Sequence, residues 1–292
     1  MNIFRNRLGQ SGSSESGTVV YINGVKSRAS RVDLDEIIPM PYVQIPSESY
    51  EPQCVIFNNE LHLVGGNNLE HYKSHIKWNG TSWENVSTLP DNICGIAIAD
   101  ENHIYILSSY GSSTHYVYAW DGTQWTQYGS FGANPKYGRM VIYNNEFHLL
   151  SEDSLIKFTD TNWTRLTNVP YSRGESTATV YDGAIHILGG NNPRNHYKWN
   201  GSAWSYVSTI PMDCNKGCSL VYDNKLHLFF NDTDISPHHY VWDGNTWSED
   251  VKPLSAHGTQ GTVFNNKIML LGRFYSSFIE PLNCVKDITI TT

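Results

Sequence analysis

Charge is scarce in this chain. Only 16% of its 292 residues are Asp, Glu, Lys or Arg, and they leave a net charge of -8. A surface of that sign has no general attraction for phosphate backbones, so nucleic acid is not an expected partner. Cysteine is sparse too: Cys54, Cys94, Cys214, Cys218 and Cys284. An odd count in a chain of this length implies no disulfide framework. Cys214 and Cys218 stand in a CxxxC spacing, but no second pair lies near enough to complete a zinc site. No metal and no cofactor is expected. No run approaches the ~20 apolar residues of a membrane-crossing helix. The opening "MNIFRNRLGQSGSSESG" lacks the apolar region of a signal peptide. These absences point to a chain kept in a cytoplasm or assembled there into something larger.

Aromatics, in contrast, reach 13%, with nine Trp and eighteen Tyr, and hydrophobic residues reach 39%. That is ample for a packed core. Frequent Asn-Gly and Asp-Gly pairs among neutral polar residues predict an all-β protein with tight hairpins.

An internal repeat decides the fold. FNNELHLV at Phe57 recurs as YNNEFHLL at Tyr143, YDGAIHIL at Tyr181, YDNKLHLF at Tyr222 and FNNKIMLL at Phe264, with a looser ADENHIYIL at Ala99. The matching apolar residues Leu61, Ile104, Phe147, Ile185, Leu226 and Ile268 fall 38 to 43 residues apart. In each copy an aromatic ends one strand, a two-residue turn follows, and the next run alternates with period two. A variable loop then leads to KWNGTSW, AWDGTQW, KFTDTNW, KWNGSAW or VWDGNTW. The aromatic pairs Trp78/Trp83, Trp120/Trp125, Phe158/Trp163, Trp199/Trp204 and Trp242/Trp247 all stand five residues apart. Isolated, such a pair looks like a sugar platform. Recurring in five repeats, it reads as scaffold packed between neighbouring units.

Four antiparallel strands per ~40 residues, six times over, is the pattern of a β-propeller. The diglycines Gly65-Gly66 and Gly189-Gly190, the aromatic before the turn and the later tryptophan resemble kelch repeats. The other copies depart from the diglycine. The resemblance implies a six-bladed propeller over residues 32–292, with blades near 52–90, 91–131, 132–170, 171–211, 212–254 and 255–292. The copies ending WENVSTLP, WTRLTNVP and WSYVSTIP share a spacing with "LDEIIPMP", Leu34 to Pro41. Residues 32–41 are therefore expected to supply the closing strand of the last blade. The earlier GTVVYINGVKSR carries its own Asn-Gly hairpin signal. Residues 1–31 read as a polar leader with a small hairpin, suited to attachment to a larger assembly.

Candidate chemistry is thin. His62, His148, His186 and His227 share one repeat position, and His75, His196 and His239 share another, three residues before a tryptophan. Equivalent residues point the same way in different blades, so neither set converges on a metal. They are expected to pack between blades and bond to backbone. The Asp-box register of sialidase-like propellers is absent, and the copper constellation of galactose-oxidase-like kelch enzymes does not map. No G-x-S-x-G, HExxH or phosphate loop occurs. A carboxylate pair drawn from Glu175, Asp213, Asp232 and Asp234 is the remaining catalytic option.

Recognition has a better address. First-to-second and third-to-fourth turns share one face, and these are short and uniform. The second-to-third loops and the inter-blade links share the other, and these vary. Kelch proteins generally bind on that face. Its candidate ligand residues are Asn67, Asn68, His71, Tyr72, Tyr110, Tyr137, Arg139, Tyr171, Arg173, Asn191, Arg194, Asp232, Arg273, Phe274 and Tyr275. They combine flat amphipathic rings with directed donors. The expectation is a non-catalytic module binding a glycan or a protein, as a bacterial or bacteriophage surface or virion component. A cytoplasmic kelch interaction scaffold is the first alternative, and a carbohydrate-active enzyme the second.

Overall fold

The turn residues of the repeats take the backbone conformation that short polar side chains tolerate. Asn58-Asn59, Asn144-Asn145, Asp182-Gly183, Asp223-Asn224 and Asn265-Asn266 all have positive φ at both positions. That is the two-residue turn whose twist matches paired strands. Four of the third-to-fourth connections are four-residue loops instead. In the first repeat Trp78 pairs with Trp83, and the Asn79 side chain accepts the backbone N–H groups of Thr81 and Ser82. Asp121, Asn200 and Asp243 do the same in their repeats.

The computed structural model describes residues 18–22, 25–29, 43–44, 52–65, 73–91, 95–108, 115–131, 138–151, 153–159, 162–170, 174, 176–231, 236–250, 260–272 and 278–282. All regular structure among them is β-strand. β1 (Thr18–Ile22) and β2 (Val25–Ala29) form a separate two-stranded sheet, and β3 is Val43–Gln44. The first four-stranded sheet holds β4 (Gln53–Phe57), β5 (Glu60–Val64), β6 (Ser74–Trp78) and β7 (Trp83–Thr88). The second holds β8 (Gly95–Ala99), β9 (Ile104–Ser108), β10 (His115–Trp120) and β11 (Trp125–Phe131). The third holds β12 (Arg139–Tyr143), β13 (Glu146–Leu150), β14 (Ser154–Thr159) and β15 (Asn162–Asn168). The fourth holds β16 (Thr177–Tyr181), β17 (Ala184–Leu188), β18 (Asn195–Trp199) and β19 (Trp204–Thr209). The fifth holds β20 (Asn215–Tyr222), β21 (Lys225–Asn231), β22 (Pro237–Trp242) and β23 (Trp247–Glu249). A further sheet holds β24 (Gln260–Phe264), β25 (Lys267–Gly272), β26 (Phe278–Leu282) and, from the other end of the chain, β3.

The sheets are arranged as a β-propeller. Five blades are self-contained, each built from four consecutive strands, and the last sheet is composite. Each first strand touches the next around a circuit, and β24 returns to β4. The cores lie at the seams, not inside the sheets. Val55, Phe57 and Val64 of the first sheet pack on Ile104, Ile106 and Trp120 of the second. Leu61, Leu63 and Trp78 pack on Met269 of the composite sheet. The other seams repeat this arrangement.

Among the described residues the last sheet is joined from the N-terminal side by β3. Val43 pairs with Ile279 and Gln44 with Phe278, just beyond the Leu34–Pro41 segment. That segment lies outside the described residues.

The aromatic pairs divide unevenly. Trp78, Trp120, Phe158, Trp199 and Trp242 are buried. Trp83, Trp125, Trp163, Trp204 and Trp247 are half-buried. Ring centroids in each pair are 4.5 to 5.6 Å apart. The diglycine also has a local cause. Gly189 and Gly190 both have positive φ, and Gly190 donates its N–H to the Cys214 carbonyl at 2.9 Å. A Cβ on Gly189 would lie 2.2 Å from that same carbonyl oxygen. Only glycine lets the loop approach the neighbouring link so closely.

Candidate functional site

The first strands line a central channel of about 470 Å³. Counting four residues back from the end of each first strand gives Gln53, Gly95, Arg139, Thr177, Cys218 and Gln260. Counting one residue back gives Ile56, Ile98, Ile142, Val180, Val221 and Val263. All six are β-branched, as strand packing favours, and Ile56, Ile98 and Val263 also line the channel. The link end differs in every sheet except for its two glutamines. All six residues of this link-end ring line the channel.

Among the described residues, Arg139 is the one charged side chain lining the channel. It donates from Nη1 to the Gly138 carbonyl at 2.9 Å. Its charge reaches across the channel and lowers the Cys218 thiol pKa, although burial still holds that thiol at about 12. Burial holds the Cys54 thiol at about 12 as well. Both thiols are free and neutral at physiological pH. Thr177 and Ser219 join hydroxyls at 2.9 Å, and the Ser219 N–H donates to Thr177 Oγ1 at 3.0 Å.

Three of the fifteen ligand candidates fall among the described residues. Arg139 stands on the channel wall. Arg194 donates to the Ile210 carbonyl at 2.9 Å and to the Pro211 carbonyl at 2.7 Å. It ties the β17–β18 loop to the link that follows β19. Asn191 is exposed, with its amide against Gly174. Asn67, Asn68, His71, Tyr72, Tyr110, Tyr137, Tyr171, Arg173, Asp232, Arg273, Phe274 and Tyr275 lie outside the described residues. So do Glu175 and Asp234 of the carboxylate option, while Asp213 is exposed on its link.

The histidines are arranged otherwise than expected. In three sheets the two sets bond to each other and not to backbone alone. His62 meets His75 at 2.9 Å, His186 meets His196 at 2.7 Å, and His227 meets His239 at 2.9 Å. Two of these pairs continue across a seam. His75 Nδ1 meets Ser87 Oγ at 2.8 Å, and Trp125 Nε1 of the second sheet donates to Ser87 at 3.0 Å. His196 meets Ser208 at 2.9 Å, and Trp247 of the fifth sheet donates to Ser208 at 2.9 Å.

Indole is a donor only, so it sets the direction of each chain. Its N–H occupies a serine lone pair, the serine O–H turns to histidine Nδ1, and that histidine donates from Nε2 to its partner. Both rings are then neutral Nε2–H tautomers. Burial agrees with this: it lowers His62 and His186 to about 4, and His75 and His196 to about 3. A sequence signal for the pairing existed. The copies with histidine at the second position are all copies with histidine at the first.

No family model matches the chain, and no curated protein matches it by sequence. A solved structure titled "Structure of YjhT" superposes with a TM-score of 0.64 at 10% identity. The match covers 82% of this chain and 95% of that one. At that identity the likeness speaks for the propeller fold alone.

Proposed function

We propose that this chain is a non-catalytic recognition module on a six-bladed kelch-like propeller, binding a glycan or protein ligand over the link-face mouth of the channel. One observation carries the reading. Equivalent positions of one repeat are uniform where the fold alone constrains them and chemically divergent at the link end. Divergence on a regular scaffold is how specificity is built without disturbing stability. Residues 1–31 belong to the same reading as an attachment segment of a virion or surface component, supported by the separate β1–β2 sheet.

The test is a glycan array and a protein pull-down with the full chain and with Gln260→Trp, which fills the mouth. The reading expects binding by the first and loss in the second, with the melting temperature kept. Substrate turnover with no stable binding would replace it with the enzyme alternative. Deleting residues 1–31 is expected to abolish copurification with a larger particle and to leave ligand binding intact.

A further inference from the structure

We propose that Asn79, in the loop between β6 and β7, is a site of spontaneous covalent modification, losing its side-chain amide by ring closure onto the backbone nitrogen of Gly80. The four-residue loops of the hairpin face divide by their first residue. The first and fourth sheets carry Asn79-Gly80 and Asn200-Gly201; the second and fifth carry Asp121-Gly122 and Asp243-Gly244. All of these residues are exposed. In each loop the side-chain oxygen of the first residue accepts the N–H groups two and three positions on.

The step needs no co-reactant but water. The Gly80 nitrogen bonds to Asn79 Cγ, the Cγ–Nδ2 bond breaks, and the Gly80 proton leaves with Nδ2 as ammonia. The product is a five-membered succinimide. Water then opens either of its carbonyls, giving aspartate or the isomer whose backbone runs through the side chain. Three features favour this at Asn79. In the tetrahedral intermediate negative charge sits on Oδ1, where the N–H groups of Thr81 and Ser82 already stand at 2.8 Å. Donors placed in advance at developing charge lower a barrier. Glycine has no side chain to block the approach of its own nitrogen. The space is also open: a Cβ on Gly80 would meet nothing within 4 Å, whereas one on Gly201 would lie 3.2 Å from the Tyr143 hydroxyl. The aspartate loops are protected by the same kind of donors. The Thr123 hydroxyl and the N–H groups of Gln124 and Thr123 hold Asp121 down at about 2. It is a carboxylate at neutral pH and offers no neutral leaving group.

Residue 84 sets the consequence. Asn79 Nδ2 donates to Glu84, and the residues equivalent to Glu84 are Thr126, Ser205 and Ser248. An aspartate at position 79 loses that bond and faces a like charge; one at position 200 has Ser205 there instead. The backbone isomer adds a carbon between Trp78 and Trp83, which pair across the loop. Trp83 packs at the seam that holds Met269 of the composite sheet, so conversion loosens the seam where the ring closes.

The experiment is peptide-mapping mass spectrometry of the full chain through incubation at mildly alkaline pH, with the two acid products separated by chromatography. A synthetic peptide of residues 74–84 is the unstructured reference. Amide-to-acid conversion is expected first at Asn79, faster as pH rises, and more slowly at Asn200. Tyr143→Phe is expected to speed Asn200 severalfold and leave Asn79 unchanged. Asn79→Asp is expected to lower the melting temperature, Glu84→Gln in the same chain to recover it, and Asn200→Asp to leave it in place. An amide still intact at Asn79 after the peptide has converted, or conversion there no faster than at Asn200, overturns the inference. An unchanged melting temperature in Asn79→Asp overturns the consequence assigned to Glu84.

Discussion

Two seams of the ring solve one packing problem in opposite ways. Between the first and second sheets, and between the fourth and fifth, a His–His–Ser chain ends on the neighbour's indole. Between the third and fourth, Leu155 takes the place of the second histidine and packs on Ile185, Ile187 and Trp199. There His148 turns to the Glu146 carbonyl at 3.0 Å, Thr167 bonds to the Asn168 carbonyl, and Trp204 Nε1 has no hydrogen-bond partner among the described residues. One backbone repeat therefore accepts either a hydrogen-bonded polar chain or a largely dry contact. The polar chain adds direction and two buried histidines; the drier seam keeps one, His148, whose pKa burial also lowers.

The largest expected effect is acid unfolding. The paired histidines have folded pKa values below the ordinary value of 6.5. The unfolded chain binds more protons below that pH, so stability is full above about pH 7 and falls as pH drops from 6.5 toward 3–4. The groups facing the pairs do not offset this: Glu60 favours His62 protonation and Asp182 that of His186, Lys77 and Lys198 oppose it, and burial outweighs them. Melting temperatures across pH 8 to 4 are the check. A flat profile would mean that the pairs are not neutral as bonded.

His196→Leu copies the dry seam into the fourth sheet. It orphans His186 Nδ1 and the Ser208 hydroxyl and is expected to cost about 1–3 kcal/mol at neutral pH, read by urea unfolding. It is also expected to shallow the acid slope, so the variant loses less than the parent on going to pH 5. Ser208→Ala cuts the chain at its bridge to Trp247 and is expected to cost about 0.5–1.5 kcal/mol. Thr167→Ala, the equivalent change on the dry seam, is expected to stay within about 0.5 kcal/mol. Equal costs for the two alanine variants would erase the distinction between the seams.

Much of the scaffold was legible because it is local. Asn-Asn and Asp-Gly turns dictate positive φ, alternation such as Leu61-His62-Leu63 dictates a strand, and a spacing of five dictates that Trp78 faces Trp83. Less of the site could be read. Along the ladder His62 stands opposite Lys77, and His75 opposite Val64. The two rings meet on the diagonal, a same-face contact that strand spacing alone does not announce. Arg194 looked like Arg139 in sequence, since both are loop-face arginines. The fold gives one two carbonyls to hold and sets the other on the channel wall.

The sequence by itself determined the repeat, the strand pairing within each repeat and the face on which variation collects, since these follow from turn chemistry and periodicity over a few residues. Tertiary structure alone decided which residues meet across a seam, where the N-terminal strand joins the last sheet, and that six unremarkable strand starts form one ring around Arg139. Those contacts join residues about 40 to more than 200 positions apart, and only closing the circle brings them within reach.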